Sequence, residues 1–247
     1  MGTSQSHNLK STPNWSSAKR AITSIANGTG NADNNNTKFM RSLGSALGSG
    51  IYRGKSAGGR KGHSSTFGRA GERATTNFIS FISDTRNKGL AGVLNFTDLS
   101  QEQQPQTPRD FIDRILQQIV GENDSNMDDG AAAYAMDCLL NEILKDCNDS
   151  QEIEDRFREA TDDDIHRWII DFEIEYILEF SAELFQSHIF DKGSNPESIK
   201  NQIRNWLHNE LDDRLKDNLS KYDLTTSAGK VILETLTADI IDIWGQQ

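Results

Sequence analysis

The chain has little of what metal-binding, secreted or membrane proteins rely on. Only two of its 247 residues are cysteine, Cys138 and Cys147. They stand nine apart in a stretch with helical periodicity, which suits neither a Cys-x-x-Cys metal pair nor a disulfide framework, so they read as reduced thiols. No apolar run approaches the roughly 18 residues a membrane span needs, and the N-terminus has no apolar signal core. A cytoplasmic protein without membrane attachment is expected. No segment alternates apolar and polar residues as a half-buried strand would. The chemistry-bearing motifs are missing as well: there is no His-Glu-x-x-His, Gly-x-Ser-x-Gly, Glu-x-x-His or Gly-x-x-x-x-Gly-Lys-Ser/Thr. No catalytic residue, metal ligand or cofactor is therefore assigned, and no enzymatic activity is expected.

Acidic residues are nearly absent from the first part of the chain. Up to Thr97 there are 13 Lys and Arg against 3 Asp and Glu, and afterwards 13 against 34. The formal charge of -11 thus conceals a net of +10 followed by a net of -21. Such asymmetry means either that the basic arm meets an anionic partner or that it folds back on its own acidic body.

What is present is helical. Of the 4 prolines, Pro13 and Pro108 follow Thr12 and Thr107, the pattern of an N-cap and first helical position, and Asn195-Pro196-Glu197 opens a third segment. Trp15, Ala18, Ile22 and Ile25 predict a short helix ending near Asn27-Gly28. An Asn/Gly loop is expected from Gly28 to Asn36, then a second helix through Phe39, Met40, Leu43 and Leu47. A glycine-rich basic linker holding Arg53, Lys55, Arg60 and Lys61 follows. Further helices are predicted from Thr66 through Ile82, from Thr107 to Gly121, from about Asp129 to Leu144, briefly after Ser150, from Thr161 to Ile189, from Pro196 to Leu219 and from Ser227 to Trp244. Gly89 to Phe96 reads as a tight, buried helical turn. The expected fold is all-α: a 1–12 tail, a basic 13–65 arm with short helices, and a 66–247 multi-helix bundle, acidic from about residue 98.

In the body, carboxylates such as Asp171, Glu175 and Glu179 recur at helical spacing without implying catalysis, and His166, His188 and His208 are expected on or near helix surfaces. In the linker, Arg53, Lys55, Arg60 and Lys61 offer charge for nucleic acid, with Tyr52 and Phe67 able to stack on bases; a solvated loop is the plainer reading.

Met1-Gly2-Thr3-Ser4-Gln5-Ser6 cannot bury enough apolar surface to order itself. Removal of Met1 would leave a glycine amine. An α-amine titrates near 7.7–8.0 and a lysine near 10.4, so close to neutral pH the terminus is roughly a hundred-fold richer in its nucleophilic form. The same residues fit the Met-Gly-x-x-x-Ser pattern of N-myristoylation, although a single acyl chain gives only marginal membrane binding. They also fit an ordinary polar terminus. About ten residues separate Gly2 from the first helix, a reach of some 33–36 Å when extended.

Several pieces in order resemble the QatB family of the bacterial Qat anti-phage defence systems: the Met1-Gly2-Thr3-Ser4 start with Trp15; Gly68-Arg69-Ala70-Gly71; Gly89-Leu90-Ala91-Gly92-Val93-Leu94 leading to Phe96 and Leu99; and Phe111 to Leu144, with Asp128-Asp129-Gly130-Ala131-Ala132 at a helix entry. The resemblance covers most of the first 145 residues and is weaker beyond; the Asn/Gly/Lys-rich stretch between Asn27 and Gly62 departs from it. It implies a role in antiviral defence beside an ATPase, a QueC-like enzyme and a TatD-like nuclease. It further implies that the QueC-like enzyme conjugates a 7-deazaguanine to Gly2 after reading Thr3 and Ser4, which would make the chain a substrate and adaptor.

Overall fold

A computed structural model describes residues 13–48, 68–96, 105, 107–121, 127–182 and 195–219, with scattered positions between 221 and 240. All regular structure among these residues is helical, and no strand occurs among them. In chain order the helices are α1 (Pro13–Ala26), α2 (Ala32–Gly48), α3 (Arg69–Val93), α4 (Pro108–Val120), α5 (Met127–Ile143), α6 (Ser150–Arg158), α7 (Asp162–Phe180) and α8 (Pro196–Leu219).

The starts of these helices follow from short-range chemistry. At α4, Thr107 accepts from the backbone of Asp110 at 3.2 Å while the Asp110 carboxylate accepts from Thr107 N at 2.9 Å, a reciprocal capping box beside Pro108. The same box opens α7 with Thr161 and Asp164. These bonds hold the Asp164 carboxyl below its ordinary range, with Thr161 the leading cause. Asp149 caps α6 by accepting from Glu152 N at 2.9 Å. Each such cap contributes about 1 kcal/mol.

The Asn/Gly stretch departs from expectation. A loop through Asn36 is predicted, but α2 already begins at Ala32. Asn31 accepts from Asn34 N at 3.1 Å, and Asn35 donates to Thr29 O at 2.6 Å. The asparagines satisfy the open end of the helix, so the loop closes by Asn31. Helix α3 likewise starts at Arg69, because Gly68 takes a left-handed φ of 101°. Helix α7 ends at Phe180 with Ser181 as its cap; the predicted extension to Ile189 and most of the predicted 227–244 helix lie outside the described residues.

The core is built around α7. Ile165, Ile169, Phe172, Ile174, Tyr176, Ile177 and Leu178 are each at most 1% exposed, and they point to several sides of the helix. Full burial of such a side chain contributes about 1.5–3 kcal/mol, so α7 is held from all round, chiefly by α5, α8 and α3. Ala131, Ala132 and Ala135 let α5 approach closely. Phe157 of α6 meets Phe81 edge-on at 5.2 Å and Trp168 at 6.3 Å, which seals α6 across α3 and α7. Gly89, with φ 72°, breaks α3 before its last turn, and Glu154 accepts from the Leu90 N–H freed there at 2.8 Å. The tight turn expected at Gly89 is therefore present.

Helices α1 and α2 form an antiparallel hairpin. Ala18, Ile22, Phe39, Met40 and Leu43 are fully buried along its inner face, and α2 touches α8.

Candidate functional site

Two short stretches, far apart in sequence, meet at the head of α3. Gly68 N and Ala70 N donate to the Asp128 carboxylate at 3.1 and 2.9 Å. The Tyr176 hydroxyl donates to the same carboxylate and accepts from Gly68 N at 2.9 Å. Asp128 is 2% exposed and Tyr176 is fully buried. The neighbouring Asp129 pairs with Arg73 at 2.5 Å. A carboxylate supplied by α5 thus caps α3, placing negative charge at the positive end of the helix.

Glycine is needed on both sides of this knot. Only a residue without Cβ readily holds the φ of 101° at Gly68. A Cβ on Gly71 would overlap the Tyr176 ring, with Cδ1 at 2.9 Å. Burial pushes the Asp128 carboxyl up against the lowering effect of its three hydrogen bonds, and burial beside that carboxylate pushes the Tyr176 phenol well up. The knot is closed to solvent. It can fix the point where the chain from the N-terminal arm joins the body, but it offers no reacting group.

A second polar arrangement lies along the seam of α7 and α8. Lys200 meets Glu179 at 3.5 Å, Arg204 grips Glu175 with two donors, one of them at 3.0 Å, and His208 meets Asp171 at 3.2 Å. Positions 200, 204 and 208 ascend while 179, 175 and 171 descend, so the pairs form the rungs of an antiparallel ladder. Hydrogen bonding to Glu175 raises the Arg204 pKa, while burial raises that of Asp171 against the pull of His208.

Beside the ladder is a cavity of 370 Å³ lined by Tyr134, Cys138, Leu139, Ile174, Asn205 and the Glu175–Arg204 and Asp171–His208 rungs among others. Burial pushes the Cys138 thiol up, so it is no activated nucleophile. Tyr134 is pushed up to about 12 by Cys138, whose ionised form would repel a phenolate. A larger open groove of 790 Å³ runs between α5, α6 and α7, with Glu142, Asp146, Asp155, Glu159, Lys145 and Arg156 among its lining.

The residues singled out by sequence fall mostly elsewhere. Gly2, Thr3, Ser4, Arg53, Lys55, Arg60 and Lys61 lie outside the described residues, as do His63 and His188. Buried His166 sits on α7, and His208 stands half-exposed in the ladder. Cys138 and Cys147 are free thiols. Among the described residues no His, Cys, Asp and Glu group is placed to hold a metal, and no helix is long and apolar enough to cross a membrane. Sequence reading treated Asp128 and Asp129 only as a helix entry and missed their reach to α3. The two acids ahead of an alanine run were the available signal, but their partner is 58 residues away.

No curated protein and no solved structure matches the chain. A family model described as Qat anti-phage system associated protein QatB matches residues 58–244. The span corrects the expected extent of the likeness: it covers the bundle through α8, whose buried periodicity carries pattern, and leaves out the polar tail, Trp15 and the hairpin. Both halves of the Asp128 knot and all three rungs of the ladder fall within it, and with about three quarters of its length matched the chain belongs to the QatB family of Qat anti-phage system associated proteins.

Proposed function

We propose that this chain is a non-catalytic helical adaptor of a Qat system, whose Gly2 is exposed by removal of Met1 and conjugated to a 7-deazaguanine by a QueC-like partner enzyme that reads Thr3 and Ser4. The system's ATPase and TatD-like nuclease are its further partners in this reading. The observation that carries it is Gly2 behind a removable methionine on a chain that belongs to a Qat-associated family. The chemistry is favourable, because near neutral pH a terminal amine is far richer in its neutral, nucleophilic form than an ordinary lysine. The body supplies a rigid handle, with the chain into α3 tied down by Asp128 and Tyr176.

Intact-mass and fragment spectra of the chain expressed with and without its genomic neighbours test this. The expected result is a mass addition on Gly2 that requires the QueC-like enzyme and vanishes in Gly2→Pro. An unmodified terminus in the presence of the enzyme, or an addition that persists in Gly2→Pro, would overturn it.

A further inference from the structure

The cations of the two parts of the molecule are treated differently. In the bundle, Arg73, Arg109, Lys145, Arg158, Arg167 and Arg204 are each engaged by a carboxylate of the same chain. On the hairpin, Lys19, Arg20, Lys38 and Arg41 have no ion pair or side-chain hydrogen bond among the described residues, and Asp33 is the single acid of α1 and α2. Arg20, Lys38 and Arg41 are exposed and Lys19 is partly so.

Their direction follows from helix geometry. At about 3.6 residues per turn, Arg20 stands opposite Ala18 and Ile22, Lys38 opposite Met40, and Arg41 opposite Phe39 and Leu43. These apolar residues form the buried inner face. Arg20, Lys38 and Arg41 therefore point away from the buried face of the hairpin, and no carboxylate among the described residues pairs with them. An anionic surface with the needed excess exists on every other copy of the chain, which carries 34 Asp and Glu against 13 Lys and Arg after Thr97. Asp146 and Glu159, both exposed at the larger groove, have side chains without an ion pair among the described residues.

We propose that copies of this chain associate head to tail, the outer cationic face of the α1–α2 hairpin of one copy docking on the acidic bundle of the next near Asp146 and Glu159. The contact is heterologous, so an assembly that does not close into a ring leaves a free hairpin at one end and a free groove at the other. Exposed pairs are individually weak and screened by salt, so the association should be transient.

Sedimentation velocity of the full chain tests this, at about 50 and about 500 mM salt, which bracket the range where screening between surface charges becomes strong. Self-association is expected at the lower concentration and its loss at the higher. Arg20→Glu with Arg41→Glu, and separately Asp146→Lys with Glu159→Lys, should each weaken it about tenfold or more. Mixing the two double variants should restore association, because each then offers the complement of the other. All four positions are at the surface, and circular dichroism of each variant checks the fold. A wild-type chain that is monomeric at low salt, association indifferent to both double variants, no recovery on mixing, or a monomer that instead binds duplex DNA would each overturn the proposal.

Discussion

The Asp128 knot and the α7–α8 ladder are both built from carboxylates, yet they use charge in opposite ways. In the knot one buried carboxylate collects two backbone donors and a phenol, and none of these groups can turn to water if it is removed. In the ladder three separate pairs lie along a seam, where Arg204 is 29% and His208 42% exposed while Lys200 is 12% exposed. Water can replace a lost rung. The first arrangement defines a single geometry for the chain entering α3, and the second adds modest adhesion between two helices that already share an apolar face.

That contrast can be broken most directly at Asp128. Replacement by alanine leaves Ala70 N and the Tyr176 hydroxyl hydrogen without an acceptor and Gly68 N with the Tyr176 oxygen alone, and a buried orphan of this kind costs about 1–3 kcal/mol. A loss of about 3 kcal/mol or more is expected in chemical denaturation, with new protease sensitivity near Gly68. Gly71→Ala should come next, at about 1–3 kcal/mol, because the added methyl must displace the Tyr176 ring. If that substitution is neutral, the ring is not packed as described. The smallest effects belong to the ladder: Arg204→Ala and Lys200→Ala should each cost about 1 kcal/mol or less, and both should shrink in high salt. A ladder variant that matched Asp128→Ala would collapse the distinction.

The same contrast separates what the sequence discloses from what it hides. Thr107-Pro108 with Asp110, and Thr161 with Asp164, are readable because the partners of a cap lie three residues apart. The all-α reading and the central place of α7 follow from the apolar residues between Ile165 and Phe180 on more than one face. The asparagines before α2 mislead, since the same side chains serve a loop or the start of a helix. Asp171, Glu175 and Glu179 show their period, but only the fold supplies 208, 204 and 200 opposite them. The knot is the least legible of all, because nothing local ties Gly68 to Asp128 or to Tyr176. Gly2, meanwhile, is legible only as chemistry and resemblance.

The separations within the knot have a kinetic meaning. Gly68 meets partners 60 and 108 residues further along, so its hydrogen bonds close large loops that α3 to α7 must first bring together. Such contacts are expected to complete after the local helices have gathered, and interactions absent from the transition state act on the rate of leaving the native state, which unfolding rates of Asp128→Ala would test. Asp128 is thus less a guide to the fold than a latch on it: its loss would shorten the lifetime of the assembled protein more than it would slow assembly.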